Sequence, residues 1–221
     1  MKSQIFYTDT YKVIQARISS ILNSHADFLT GSTAESPRAV GDAIQDILGE
    51  NFETILGNYC DECSTDFARR AMADLAFTDK NGLYYVVDVS TFRTDTSFNM
   101  PNITSVERLS RFYEDDKNYF CYLGVSYHII GTHLVVTNVN FVPIEFLMWD
   151  CLTIGALGWG QIQIANSKYV NIQPYSRKKW MLEFCDVMLS FYPKEIGKIH
   201  SRIERFQKIK KYWESKKDEQ Y

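Results

Sequence analysis

Two aspartates, Asp74 and Asp88, stand near the ends of two apolar segments that a short turn separates. The segments 73–77 and 84–90 are rich in aromatic and β-branched residues, and the turn contains Asn-Gly, a strong hairpin signal. An antiparallel hairpin would bring the two carboxylates side by side. Neighbouring carboxylates repel each other unless a proton or a cation lies between them, and oxygen ligands suit a hard divalent cation. The pair therefore predicts a cation site, although both residues could also be ordinary strand-end acids that face solvent.

The composition is that of a globular protein. The chain has 221 residues, of which 45% are hydrophobic and 23% charged, and its formal net charge is −3. No apolar run is long enough to span a bilayer, and the stretch 141–157 is broken by Pro143, Glu145 and Asp150, so a membrane span is not expected. Because the N-terminus lacks the apolar core of a signal peptide, we expect an intracellular, cytoplasmic protein.

The five cysteines are odd in number and scattered, as in a reducing compartment. Cys60 and Cys63 form a CxxC pair, but no second pair stands at metal-ligand spacing. A structural zinc site normally needs four ligands, so the sequence favours reduced thiols over zinc.

Positive charge is concentrated towards the C-terminus. From Arg177 onward, twelve Lys/Arg residues stand against seven Asp/Glu residues, which gives +5 and leaves −8 for the rest of the chain. A basic segment of this kind permits contact with a phosphate backbone.

Apolar periodicity predicts the remaining elements. Helices are expected at about 8–29, at 37–56 behind an N-cap at Ser36 with a break at Gly49 left open, and at about 104–115. Two C-terminal helices are expected on either side of Pro193. Strands are expected at 118–130, 133–142 and 159–164, and segments 30–36, 93–102 and 152–158 are interpreted as connections.

This order of elements predicts one α/β domain over residues 1–221, with a central mixed β-sheet flanked by helices and a helical C-terminal part at about 176–221. The sequence contains neither a P-loop nor a dinucleotide fingerprint, so nothing supports a nucleotide-driven mechanism.

The two aspartates also carry a resemblance. Asp74 followed by Asp88-Val89-Ser90 resembles the PD-(D/E)xK nuclease signature, with Ala73 in place of proline and Ser90 in place of lysine. The run from Asp88 to Thr91, followed by Asn99-Met100-Pro101-Asn102-Ile103, is similar to a segment of HincII/EcoRV-like type II restriction endonucleases. The resemblance continues at 159–163, at 177–180 and in the C-terminal helices, and it covers roughly two-thirds of the chain.

The resemblance implies a restriction-endonuclease-like fold and a homodimer that cleaves palindromic double-stranded DNA with Mg²⁺. It implies that Asp74 and Asp88 hold the metal, and it places Gln45 where these nucleases often carry a glutamate. Asn102 matches a base-reading position and Asn99 a position that wedges against stacked bases. Further candidate DNA contacts are Thr91, Arg93, Gln161, Gln163 and Lys178, with Arg69, Arg70 and Lys179 as candidate phosphate contacts.

Each of these roles has an ordinary structural alternative. Asn99 and Asn102 could be turn formers around Pro101, and Gln161 and Gln163 could lie on a solvated strand face.

Ser90 is the main departure from the nuclease pattern, because a hydroxyl cannot supply the positive charge of the motif lysine. Three interpretations remain open. Ser90 could orient a water in an active enzyme, or another cation could replace the lysine. Arg93 is nearby, but it is an odd number of residues from Asp88 and so points to the other strand face. The chain could also be a catalytically inactive DNA-binding protein on the same fold, or a structural protein whose acidic hairpin is coincidental.

Overall fold

The computed structural model describes residues 2–25, 29–64, 73–96, 100–165 and 169–217. The chain divides into two compact units, Met1–Tyr175 and Ser176–Tyr221. The first unit is an α/β domain with a mixed sheet, and the second contains one long helix. No helix in the described parts of the chain combines the length and apolar character needed to cross a bilayer.

The helices of the first unit lie mostly where the periodicity predicts them. They are α1 (Thr10–Ser24), α2 (Gly31–Glu35), α3 (Pro37–Leu56) and α4 (Val106–Phe112). Ser36 caps α3 as predicted, since its hydroxyl accepts a hydrogen bond from the Ala39 N–H. Helix α3 continues through Gly49, and the short α2 occupies a segment that the sequence interpretation assigned to a loop. A cap at Thr30, which accepts from the Thr33 N–H, explains this short helix.

The described residues contain eight strands: β1 (Glu62–Ser64), β2 (Leu75–Thr78), β3 (Tyr84–Arg93), β4 (Asn102–Ser105), β5 (Asn118–Ile130), β6 (His133–Pro143), β7 (Leu152–Gly155) and β8 (Gln161–Ile164). Five of them form a sheet in the order β1-β2-β3-β5-β6. Strand β3 pairs with β5 in parallel, while the other neighbours are antiparallel. The predicted β2–β3 hairpin and the mixed sheet are thus confirmed.

The other three strands form a small antiparallel sheet in the order β4-β8-β7. The interpretation of 152–158 as a connection was wrong, because Leu152–Gly155 is a strand. Its backbone pairs with β8, and Gly155 leaves space that the Gln163 side chain occupies. This neighbour across the sheet, rather than any local pattern, makes the segment a strand.

A buried hydrogen-bond network closes the β2–β3 turn. Asp79 Oδ1 accepts hydrogen bonds from the backbone N–H groups of Asn81 (2.9 Å) and Leu83 (3.0 Å). The Tyr85 hydroxyl donates to Asp79 Oδ2 over 2.9 Å and lies 2.8 Å from Ser3 Oγ. Gly82 adopts φ of +72°, which suits glycine. The turn is therefore held by a buried carboxylate as well as by the Asn-Gly pair.

Helices α1 and α3 cover the sheet and build the core with it. Helix α1 contacts β6, and α3 contacts β3. Between them lies an aromatic cluster in which Phe77 stacks on Tyr85 with ring centroids 4.4 Å apart. Phe52 meets the edges of both Phe77 and Phe141. Burial of such large rings stabilises β3, the strand that carries Asp88.

The second unit contains helix α5 (Arg177–Glu214). The prediction of two helices was wrong, because α5 runs without interruption through Pro193. A proline removes one N–H donor and crowds the carbonyl four residues earlier, but the many backbone hydrogen bonds on both sides keep a helix of this length continuous.

The cysteine pair also differs from expectation. Cys60 and Cys63 are joined as a disulfide, whereas the sequence favoured reduced thiols. Their close spacing after α3 brings the sulfurs together. Cys121 and Cys151 are free and buried, and Cys185 is free and exposed.

Candidate active site

The hairpin places Asp74 beside Asp88. In the antiparallel register of β2 and β3, Leu75 lies opposite Val87. Asp74 precedes Leu75 and Asp88 follows Val87, so the two aspartates lie opposite each other. Asp74 donates its backbone N–H to the Val87 carbonyl over 3.0 Å, and its Oδ2 accepts from the Val89 N–H over 2.7 Å. The structure therefore brings the two predicted metal ligands together, with one of them bound to the strand that carries the other.

Both carboxyl groups have a raised pKa, so each is harder to ionise than a solvated acid. Burial raises the pKa of Asp74, and the hydrogen bond from the Val89 N–H partly offsets this. Burial and the nearby charge of Asp74 raise the pKa of Asp88 to about 8, although the Ser90 hydroxyl lowers it. At neutral pH the pair consequently holds a proton that a bound cation would displace.

Ser90 contacts Asp88 through its hydroxyl, which carries no charge. Ser90 Oγ donates to Asp88 Oδ2 over 3.2 Å, and the residue is buried. The Arg93 side chain is bound to other partners than Asp88. Its guanidinium donates to both carboxylate oxygens of Asp95 and, over 2.7 Å, to the Ala34 carbonyl. As a candidate DNA contact, Arg93 would have to leave these partners.

Gln45 reaches the site from α3. Its Nε2 donates to the Val89 carbonyl over 3.2 Å. This bond holds the β3 backbone between Asp88 and Ser90, so Gln45 positions the strand. A glutamate in place of Gln45 would bring a carboxylate oxygen against the Val89 carbonyl. The two oxygens would repel each other unless a cation lay between them.

A cavity of about 500 Å³ opens beside Asp74. It is lined by α3 and by the chain entering β2, through Gln45, Asp46, Gly49, Glu50, Ala73, Asp74 and Leu75. The sequence interpretation missed Asp46 and Glu50. Their spacing of four residues places them on one face of a helix, next to Gln45, and was the available signal. Three carboxylates therefore face one opening.

Tyr122 forms the wall behind Asp88 and was also missed. It lies opposite Asp88 in the parallel β3–β5 register and is fully buried. Its ring covers Gly124, where a Cβ would come within 2.7 Å of the ring carbon Cζ. Burial and the charge of Asp88 both raise the pKa of Tyr122 well above its ordinary value. A buried phenol that stays protonated adds no charge beside Asp88.

The donor set fits a hard cation. Among the described residues, no group of three or more His, Cys, Asp or Glu side chains is arranged as a complete metal site. Mg²⁺ commonly uses one or two carboxylates, together with waters and substrate phosphate. The closely placed oxygens of Asp74 and Asp88, with their raised pKa values, are compatible with such a site.

The small sheet brings two predicted DNA-contacting amides together. Gln163 Nε2 donates to Asn102 Oδ1 over 2.6 Å, between the paired strands β4 and β8. Gln161 and Gln163 share the more accessible face of β8, while Ile162 and Ile164 are buried, which confirms the predicted alternation. The result is an exposed amide pair that spans strands β4 and β8.

The other candidate contacts are dispersed or undescribed. Thr91 lies against α3, since its Oγ1 occupies the space that a Cβ on Gly41 would need. Lys178 and Lys179 stand in the first turn of α5, in the second unit. Asn99, Arg69 and Arg70 lie outside the described residues.

Comparison with family models gives no match to this chain, and comparison with curated proteins gives none either.

Proposed function

We propose that this chain is a Mg²⁺-dependent type II site-specific deoxyribonuclease of the PD-(D/E)xK class, on a restriction-endonuclease-like fold. It acts as a homodimer on palindromic double-stranded DNA. The observation that carries the proposal is the position of Asp74 and Asp88 on adjacent strands of a mixed sheet, with the Asp74 carboxylate bound to the Val89 N–H. The nuclease-like motif around Asp88 supplies the reaction class.

The charges at the site support a requirement for a cation. Asp46, Glu50 and Asp74 line one cavity, and Asp88 lies beside Asp74. A DNA phosphate would be repelled from this surface unless positive charge were present. Mg²⁺ held by these carboxylates would supply that charge and would lower the pKa of a water that attacks phosphorus.

The chain's own residues hold and orient the reacting groups. Asp74 and Asp88 would hold the cation, while Gln45 fixes the Val89 carbonyl and thus the direction of the Asp88 side chain. Ser90 donates to Asp88 and orients water next to it. Asn102 and Gln163 offer amide groups for base edges, since an amide can pair with adenine through two hydrogen bonds.

The test is plasmid cleavage by the wild type and by Asp88→Asn, in Mg²⁺ and in its absence. The wild type is expected to give discrete bands that require Mg²⁺, and Asp88→Asn to give none while still binding duplex DNA in a gel-shift assay. Asp42→Asn is the matched control, because Asp42 is an exposed acid on α3 outside the cavity lining. Cleavage retained by Asp88→Asn would overturn the assignment.

One observation favours a second candidate, a catalytically inactive sequence-specific DNA-binding protein on the same fold. Ser90 carries no charge, and Arg93 is bound to Asp95 and Ala34. A Ser90→Lys variant separates the two candidates. Discrete bands from the wild type reject the second candidate, whereas bands from Ser90→Lys alone support it. No duplex binding at low salt, with or without Ca²⁺, would reject both.

A further inference from the structure

Helix α5 carries a long exposed apolar stripe, here called the α5 seam. Its positions alternate in steps of three and four residues over more than four heptads: Leu182, Cys185, Leu189, Tyr192, Ile196, Ile199, Ile203, Phe206, Lys210 and Trp213. Its large apolar side chains are exposed, from 38% for Tyr192 to 73% for Leu189. A sustained repeat of this kind is typical of a two-stranded coiled coil.

The α5 seam is separate from the buried face of the same helix. The buried residues of α5 are Trp180, Phe184 and Met188, and Trp180 stacks on Phe184. Leu182 lies two residues from Phe184, which is roughly 200° around a helix. The seam is therefore a second apolar face. Soluble proteins seldom leave so long an apolar face in contact with water.

We propose that the α5 seam is the surface on which a second copy of this chain binds, as an antiparallel two-stranded coiled coil. A heptad stripe is complementary to another copy of itself, because each apolar side chain fits between four of the facing helix. Covering the exposed seam on two chains would bury on the order of 1,500 Å², the size of a standard specific interface. This inference does not rest on the proposed nuclease activity.

Charges beside the seam select the antiparallel arrangement. When Ile196 lies opposite Ile199 of the partner subunit, Glu195 faces Arg202 of the partner subunit, and by symmetry this ion pair forms twice. Glu195 now pairs with Lys198 on its own helix over 2.6 Å. In the same arrangement Lys210 faces Cys185 of the partner subunit. A parallel pair would instead place two copies of Lys210 against each other inside the seam, which is destabilising.

The first test measures the mass of the full-length protein by size-exclusion chromatography with light scattering, at micromolar concentration and without DNA. The wild type is expected to be a dimer. The double variant Ile199→Glu/Ile203→Glu is expected to be monomeric, with dimerisation at least about 100-fold weaker, because it buries like charges in the seam. Ser201→Glu is the matched control, since Ser201 lies on the opposite face of the same turn, and it should remain dimeric.

Circular dichroism of the double variant separates loss of pairing from loss of folding. If its spectrum shows that it has unfolded, Leu189→Ser and Phe206→Ser, tested singly, take its place. A monomeric wild type would overturn the proposal and would assign the seam to a different partner. A seam variant that stays folded and dimeric would also overturn it, because the dimer would then form elsewhere.

The second test determines the direction of pairing by oxidation with copper phenanthroline. Cys121 and Cys151 are buried, so Cys185 is the exposed free thiol among the described residues. The wild type should form no covalent dimer, whereas Lys210→Cys should form one through Cys185 of the partner subunit. Covalent dimers of the wild type would show that two copies of Cys185 face each other, which overturns the antiparallel arrangement.

Discussion

Asp74 Oδ2 accepts a hydrogen bond from the Val89 N–H over 2.7 Å, so the first acid of the site is bound to the strand that carries the second. This bond fixes the first carboxylate against the second strand, and it partly offsets the rise that burial causes in the pKa of Asp74. Among the described residues, Asp88 has no comparable backbone donor, and the Ser90 hydroxyl stabilises its charged form instead. The two acids therefore differ in how readily they ionise.

Because the pKa of Asp88 is raised in the folded chain, the free energy of unfolding should depend on pH. Its pKa is about 8 in the folded chain, against an ordinary value of 3.8. Between these values the folded chain binds a proton that the unfolded chain has released, so the Asp88 contribution to the free energy of unfolding falls as pH rises from 4 to 8. Asp88→Asn should raise Tm at alkaline pH by on the order of 10 °C or more, with no change near pH 4.

Calorimetric scans of the wild type, Asp88→Asn and the Asp42→Asn control across this range check the prediction. Equal Tm differences at both ends of the range would contradict it, because they would mean that Asp88 does not change its protonation on folding.

Binding of Ca²⁺, a non-catalytic substitute for Mg²⁺, should release a proton from the pair. Because the pKa of Asp88 is about 8, the residue is largely protonated at pH 7, and a cation must displace that proton. Isothermal titration in buffers of different ionisation enthalpy should give roughly one proton per ion at pH 7, and far less at pH 9. Asp88→Asn should show neither the proton release nor the binding. Binding without proton release would place the ion elsewhere.

Gln45→Glu should remove the hydrogen bond to the Val89 carbonyl and make the stability of the protein depend on a bound cation. Without divalent ions, the new carboxylate faces the Val89 carbonyl and the variant should lose about 1–3 kcal/mol of stability. In Mg²⁺ or Ca²⁺, part of this loss should be recovered, because the added oxygen can ligate the ion. Gln45→Ala, which lacks any ligand, should lose stability without recovering it. Thermal denaturation with and without Ca²⁺ distinguishes the two, and equal responses would contradict the cation site.

Gly124→Ala should disturb the wall behind Asp88. A Cβ at this position would come within 2.8 Å of two ring carbons of Tyr122, which is buried and cannot move freely. We expect a loss of about 1–3 kcal/mol in urea denaturation. Gly31→Ala is the control, since a Cβ there meets nothing within 4 Å. Equal effects of the two substitutions would show that the tight fit around Tyr122 is not important.

Elements with strong local signals were predictable from the sequence. The Asn-Gly turn, the alternation at 161–164 and the cap at Ser36 each specify structure through a few neighbouring residues. Leu152–Gly155 could not be identified in this way, since its strand pairing depends on β8. The continuity of α5 through Pro193 depends similarly on the length of the helix around it.

The two acids of the candidate site could be predicted from the sequence, whereas the residues that surround them could not. Asp74 and Asp88 follow from the hairpin register, which the sequence encodes locally. The Gln45 bond to the Val89 carbonyl, and the approach of Asp46 and Glu50 to Asp74, depend on how α3 lies against the sheet. Such packing joins residues that are 24 positions apart for Glu50 and Asp74 and 44 positions apart for Gln45 and Val89, so no short sequence pattern can indicate it.

Because β3 pairs in parallel with β5, we expect Asp88 to become buried later in folding than the β2–β3 hairpin forms. The β2–β3 hairpin can form from neighbouring residues, whereas β5 must return across the intervening β4 and α4 before Tyr122 covers Asp88. Since the folded pKa of Asp88 is about 8, refolding at pH 6 consumes a proton from the solvent. A colorimetric pH indicator in a stopped-flow experiment would thus time the closing of this site separately from the formation of its hairpin.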